Sequence, residues 1–273
     1  IDAVFTAPSG VVELDEIHLR VTGQPGDSHW LHAQERERKL ATLHAKFAAE
    51  HRRLVRAITH SDPSADAAGV AEATAELIAG LPVYRADYPS LRPLLIETAA
   101  EISLRRPDLA AAVDTIISAT AHPGAASSRL AQTGGAVTAK SVEDSLFYRT
   151  ARLVSSLEVG SDPADPTLSL QNFHTHNEIR AEQWPRAMTA TSTHDTKRSE
   201  DVRARVALIA QVPERWSLLV DELWSNWPPP DDLTGYFLLQ NIVGVWPVGD
   251  PPGTGVVTDQ LRQRLYDYAR KAT

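Results

Sequence analysis

The residues best suited to chemistry lie together in the run Ala190-Thr-Ser-Thr-His-Asp-Thr-Lys-Arg-Ser-Glu-Asp-Val-Arg-Ala-Arg205. An imidazole and a carboxylate are adjacent there, His194 and Asp195, with Lys197 and Arg198 just behind. Such a carboxylate can stabilise developing positive charge. A second grouping is Lys140, Glu143, Asp144 and Tyr148. A lysine at the end of a strand can hold hydroxyl groups, and an aromatic ring can cover an apolar face. Glu143 and Asp144 have an equally available reading as first-turn carboxylates that complement a helix dipole.

His174, His176, His194 and Asp195 supply the residue types of a zinc or iron site. His174 and His176 are two apart on an expected helix, about 200° around its axis, so they cannot face one ion together. No metal and no cofactor is expected. No Gly-rich phosphate loop of either common pattern occurs, which disfavours a phosphate-binding enzyme.

These groups need elements to hold them. Ala190–Thr193 is small and β-branched and reads as a short strand over 189–193, followed by a helix capped by Ser199 with Glu200 and Asp201 in its first turn. A strand that ends in His-Asp ahead of a capped helix places a carboxylate at the carboxyl end of a parallel sheet, the reactive face of a (β/α)8 barrel. Two more short strands are expected, at 83–85 and at 136–139, the latter leading to Lys140 and a helix capped by Ser141. The remainder reads as helix: 12–21, 28–59, a segment from about 64 to 80, 90–105, 107–120, 168–183, 200–211, 213–226, 232–245 and from 258 onward. The charges between Glu35 and Arg52 read as a solvated helix face.

The formal charge of −8 over 273 residues argues against a nucleic-acid binder. No apolar run reaches the roughly 18–20 residues of a membrane span. The complete lack of cysteine excludes disulfides and thiolate metal sites, and fits a cytoplasmic location.

Several blocks then carry a resemblance. Thr191 to Arg205 resembles the His-Asp motif of the maltooligosyltrehalose synthases of the α-amylase superfamily. Ala139-Lys-Ser-Val-Glu-Asp-Ser-Leu-Phe-Tyr-Arg149 is similar to a second family block, and Leu153–Asp162, with Glu158-Val-Gly160, to the block after it. Phe173-His174, Asn177, Trp184–Met188 and the Pro82-Val-Tyr-Arg85 run continue the likeness. Departures occur at Ser141, Ser145, Ser156 and His176.

The resemblance implies a mainly α chain: a helical insertion plus part of a (β/α)8 TIM barrel of the α-amylase type. Residues 1–130 would be the insertion, 131–227 the barrel segment, and 228–273 a helical continuation. It implies an isomerase that turns the reducing-end α-1,4 linkage of a maltooligosaccharide into an α,α-1,1 linkage, in trehalose biosynthesis. Asp195 takes the place of the third catalytic carboxylate. His194, Lys140, Glu143, Asp144, Tyr148 and Arg198 are the expected substrate contacts. The nucleophilic Asp and acid/base Glu would come from the remainder of the same enzyme chain, so the 273 residues are expected to be an internal fragment, inactive alone. The alternative is a non-catalytic helical interaction module, for which residues 28–120, as plain helical hairpins, would suffice.

Overall fold

A computed structural model describes residues 2–272, and among these every regular element is a helix. In chain order they are α1 (Asp2–Phe5), α2 (Pro8–Thr22), α3 (Ser28–Lys46), α4 (Ala48–Ser61), α5 (Ala67–Gly80), α6 (Arg92–Arg105), α7 (Ala110–Ala119) and α8 (Ala125–Thr138). They continue with α9 (Leu170–Gln183), α10 (Glu200–Ala207), α11 (Pro213–Asn226), α12 (Asp232–Val245) and α13 (Asp259–Ala272). Local chemistry sets many of these ends. Pro8 and Pro213 stand at first helical positions, where a missing N–H costs nothing. The Asp66, Ser169 and Asp231 side chains accept first-turn N–H groups of α5, α9 and α12.

The chain divides into two compact units, residues 32–146 and the discontinuous pair 1–31 with 147–273. The stretches 1–130, 131–227 and 228–273, expected as an insertion, a barrel segment and a helical continuation, have other boundaries. In the first unit the core runs through Leu43, Leu54, Ile58, Leu77, Ile78, Leu95, Ile102 and Ile116. Two buried polar side chains there are matched: Lys39 donates to Leu81 O at 2.8 Å, and the His51 ring meets Thr74 Oγ1 at 2.8 Å. The expected helix 28–59 breaks at Phe47 (φ −118°, ψ 21°), with no Gly or Pro there, where the partly buried Phe47 side chain packs against the core.

In the second unit α2, α10, α11 and α12 pack around Leu14, Ile17, Val206, Trp216, Val220, Tyr236 and Phe237. Trp216 Nε1 donates to the Tyr236 hydroxyl at 2.8 Å, so both large rings are buried with their polar atoms satisfied. Gly10 sits where a Cβ would lie 1.7 Å from Ala210 O, which makes glycine obligatory for this approach. Gln240, fully buried on α12, accepts from Val154 N (2.9 Å) and donates to Ala151 O (2.5 Å), pinning the irregular segment before Glu158.

The barrel expectation is corrected: the described residues contain no strand, and no barrel is seen in this chain. A strand exists only through a partner's ladder bonds, and none of the three runs has one. Residues 82–84 are a bend and Arg85 is irregular, while 136–138 finish α8 despite their β-branched content. Residues 189–193 are irregular. The helix expected from Ser141 is a π turn over Ala139–Glu143 followed by a 3-10 turn at Leu146–Tyr148, and the Ser141 hydroxyl donates back to Val137 O (2.7 Å) instead of capping.

Candidate functional site

The His194–Asp195 pair lies at the tip of a loop between α9 and α10, closed at its base by two buried side chains. Arg203, on α10 and 4 % exposed, donates from Nη1 to Arg198 O (2.6 Å) and from Nη2 to Thr191 O, so one guanidinium spans both ends of the loop. Its Nε bonds Asp2 Oδ2 at 2.7 Å. Glu158, 2 % exposed, accepts the backbone N–H of Lys197 at 2.5 Å and of Arg198 at 2.9 Å. A planar donor fork and a carboxylate thus satisfy backbone groups that would otherwise be orphaned. At the tip, His194 Nε2 is 3.4 Å from Asp195 Oδ2, and both side chains are open to water, 91 % and 68 % exposed. The Asp195 N–H donates to Thr193 Oγ1 at 3.2 Å, and Thr196 Oγ1 donates to Thr193 O at 2.8 Å, tightening the turn.

The start of α10 is capped from within the same loop. Ser199 has cap geometry but makes no side-chain cap bond. Ser192 does so, its hydroxyl accepting Glu200 N at 2.9 Å while donating to the Glu200 carboxylate. That hydroxyl bond holds the Glu200 carboxyl below the ordinary carboxylate range.

Beside this loop is a cavity of about 800 Å3, whose walls include Glu158, Asn177, Arg180, Thr191, Ser192 and Arg203. Its size suits a small sugar, and its polar walls offer both donors and acceptors. His194 and Asp195 are not among its lining residues.

Arg198 is 7 % exposed and committed within the protein: Nε to Asn241 Oδ1 (2.6 Å), Nη1 to Leu157 O (3.1 Å), and its guanidinium 5.4 Å from the centre of the Phe237 ring. Tyr148 packs on Phe237, ring centres 5.9 Å apart, with Lys197 Nζ over its own ring at 5.9 Å. Burial raises the pKa of neighbouring Tyr268, whose hydroxyl donates to Asn241 Oδ1 at 3.3 Å. Lys140, Glu143 and Asp144 belong to the other unit. There Lys140 pairs with Asp144 at 2.6 Å, one turn apart, and the Tyr84 hydroxyl donates to the buried Glu143 carboxylate. Each unit therefore assembles its own expected contacts: Tyr148, His194, Asp195 and Arg198 in one, Lys140, Glu143 and Asp144 in the other. His174 and His176 stand exposed on α9, and no three His, Asp or Glu among the described residues converge to hold a metal ion. No helix among them is long and apolar enough to cross a membrane.

The anchoring roles of Glu158 and Arg203 were not foreseen, although both residues lie in the quoted blocks. The available signal was charge in an unlikely place: a lone Glu among apolar and small residues at 153–160.

No protein-family profile matches the chain. A Mycobacterium tuberculosis protein (strain H37Rv) bearing the name maltooligosyl trehalose synthase is 44% identical over 232 residues, 85% of this chain and 29% of that protein. The structure of maltooligosyltrehalose synthase from Arthrobacter ramosus superposes with a TM-score of 0.79 at 35% identity, over 99% of this chain and 33% of that one. A further maltooligosyl trehalose synthase crystal structure, 24% identical, shares the fold with a TM-score of 0.70. The chain thus spans about a third of the length of the relatives it matches.

Proposed function

We propose, from the chain's standing as a partial homologue of maltooligosyl trehalose synthase covering about a third of the full-length enzymes, that it presents Asp195 to the reducing end of a maltooligosaccharide. The reaction is an intramolecular transglucosylation, an isomerisation. An Asp elsewhere in the full enzyme attacks the anomeric carbon of the penultimate glucose as a Glu protonates the leaving oxygen. The freed reducing-end glucose turns over without leaving. Its 1-hydroxyl then attacks the covalent intermediate, returns its proton to the Glu, and closes an α,α-1,1 linkage with no net water consumed.

In this reading Asp195 accepts hydrogen bonds from hydroxyls of the ring that flattens, and these strengthen as positive charge develops. In open water such a contact is weak, so its catalytic value requires the remaining enzyme to exclude solvent around it. His194 holds a sugar hydroxyl beside it, with Tyr148 in the same unit, while Lys140, Glu143 and Asp144 are proposed as sugar contacts of the other unit. Arg198, being buried, holds the loop base. A cytoplasmic location belongs to the same reading.

The observation that carries the reading is an accessible carboxylate at the tip of an anchored loop, in a chain 44% identical to its mycobacterial relative. The test is incubation of maltopentaose with the full-length enzyme and with this chain alone. The full-length enzyme should remove reducing ends without releasing glucose in equal amount, and the isolated chain should not turn over. Release of free glucose as the main product would replace isomerisation with hydrolysis.

A further inference from the structure

Within the unit 32–146, α4 carries Arg53, Arg56, Ala57 and His60 at positions i, i+3, i+4 and i+7, which places them along one face. Arg129 of α8 faces them, and Pro63 closes one end. Together they line a concavity of about 570 Å3. Its lining holds three guanidinium groups, an imidazole and a threonine hydroxyl, and no carboxylate.

Elsewhere in this chain of net charge −8, several arginines are held by acids at short range. Arg85 pairs with Asp87 at 2.6 Å, Arg106 with Asp108 and Glu72 at 2.6 and 2.8 Å, and Arg20 with Asp221 at 2.5 Å. Here the pattern is reversed. Arg53 has only a long 3.4 Å contact to Glu50, and neither Arg56 nor Arg129 has an ion-pair partner among the described residues. The nearby Asp62 and Asp66 are turned to other work, Asp62 accepting the Ser64 N–H and hydroxyl (3.1 and 2.6 Å) and Asp66 the first N–H groups of α5. Three like charges gathered around one concavity, in a protein with acids to spare, leave a positive potential that a compact oxyanion would offset.

We propose that this concavity binds a phosphate-bearing small molecule, with Arg56 and Arg129 as the principal contacts. Guanidinium forks match two phosphate oxygens at once, a geometry that lysines or scattered charges do not offer. The volume exceeds that of a bare phosphate and admits a phosphorylated hexose, whose hydroxyls would meet Thr59 and His60. The site lies wholly within one unit and is independent of the Asp195 loop, so it stands whether or not the proposed reaction does.

Titration calorimetry of this chain with inorganic phosphate, glucose 1-phosphate and glucose tests it. Saturable binding of one or both phosphates is expected, with no binding of glucose. The affinity should fall at least about tenfold in the double variant Arg56→Gln/Arg129→Gln, and similarly in about 0.5 M sodium chloride. Tighter binding of glucose 1-phosphate would name an organic phosphate as the ligand, and equal binding would name the phosphate group alone. Both substituted residues are exposed, so thermal unfolding should be unchanged. Should the variant fold poorly, phenylglyoxal labelling of the native chain decides: phosphate should protect Arg56 and Arg129 more than exposed Arg186. Binding unaltered by the double substitution, no binding at about 10 mM ligand, or no selective protection would overturn the proposal.

Discussion

The Glu158 carboxylate accepts the backbone N–H groups of two consecutive residues, Lys197 and Arg198, from 39 and 40 positions earlier in the chain. These two bonds tie the loop carrying His194 and Asp195 to the packed interior, where Glu158 is 2 % exposed. With Arg203 spanning Thr191 O and Arg198 O, it leaves the tip free to present side chains while the base is held.

Glu158→Ala should therefore act on the loop first. It leaves two inward-facing N–H groups without an acceptor, at a cost of roughly 2–4 kcal/mol. Urea unfolding reads that loss, and hydrogen exchange should show faster exchange at Lys197 and Arg198 than at α12. Unchanged protection of those two amides would mean that the carboxylate does not hold them.

His18 offers a pH test. Its ring is fully buried on α2, and burial pushes its pKa from 6.5 down to about 4, outweighing the opposing effect of the Gln24 backbone. The unfolded chain takes up a proton near 6.5 that the folded chain refuses until about 4. This contribution to stability is present above pH 6.5 and is lost as pH falls toward 4, reaching roughly 3 kcal/mol. His18→Leu should lose less stability than the native chain between pH 7 and 4, measured by denaturant midpoints. Parallel curves would contradict the assignment.

Gly10→Ala should be among the most damaging single changes, because its new methyl would overlap the Ala210 carbonyl. A loss of about 3 kcal/mol or more is expected from overpacking against backbone that cannot swing aside. Thermal unfolding checks it, with Gly160→Ala as the comparison: there the space is open and only the positive φ of 75° opposes a side chain.

Much of the helical scaffold was legible because its punctuation is local. Pro213 and the Pro228–Pro230 run bracket α11, and Asp231 caps α12, so both helices match their expected limits. The break at Phe47 was hidden, since no Gly or Pro breaker residue marks it. The three strands failed for a different reason. Small and β-branched residues mark what can pair, whereas a strand needs a neighbour, and the described residues supply none. In the candidate site, His194 and Asp195 were visible as adjacent reactive types. Their anchors were not: Glu158 and Ser192 act on Arg198 and Glu200 through contacts 40 and 8 residues apart, which no local pattern encodes.

The central claim is that Asp195 serves the transition state of a trehalose-forming reaction. In the full-length enzyme, Asp195→Asn keeps the shape and, because the side chain is exposed, should leave folding unchanged. Its turnover of maltopentaose, followed as loss of reducing ends and appearance of trehalose-ended product, should fall about 10²- to 10⁴-fold, roughly 3–5 kcal/mol of lost stabilisation. Turnover within a few-fold of the unsubstituted enzyme would contradict the account.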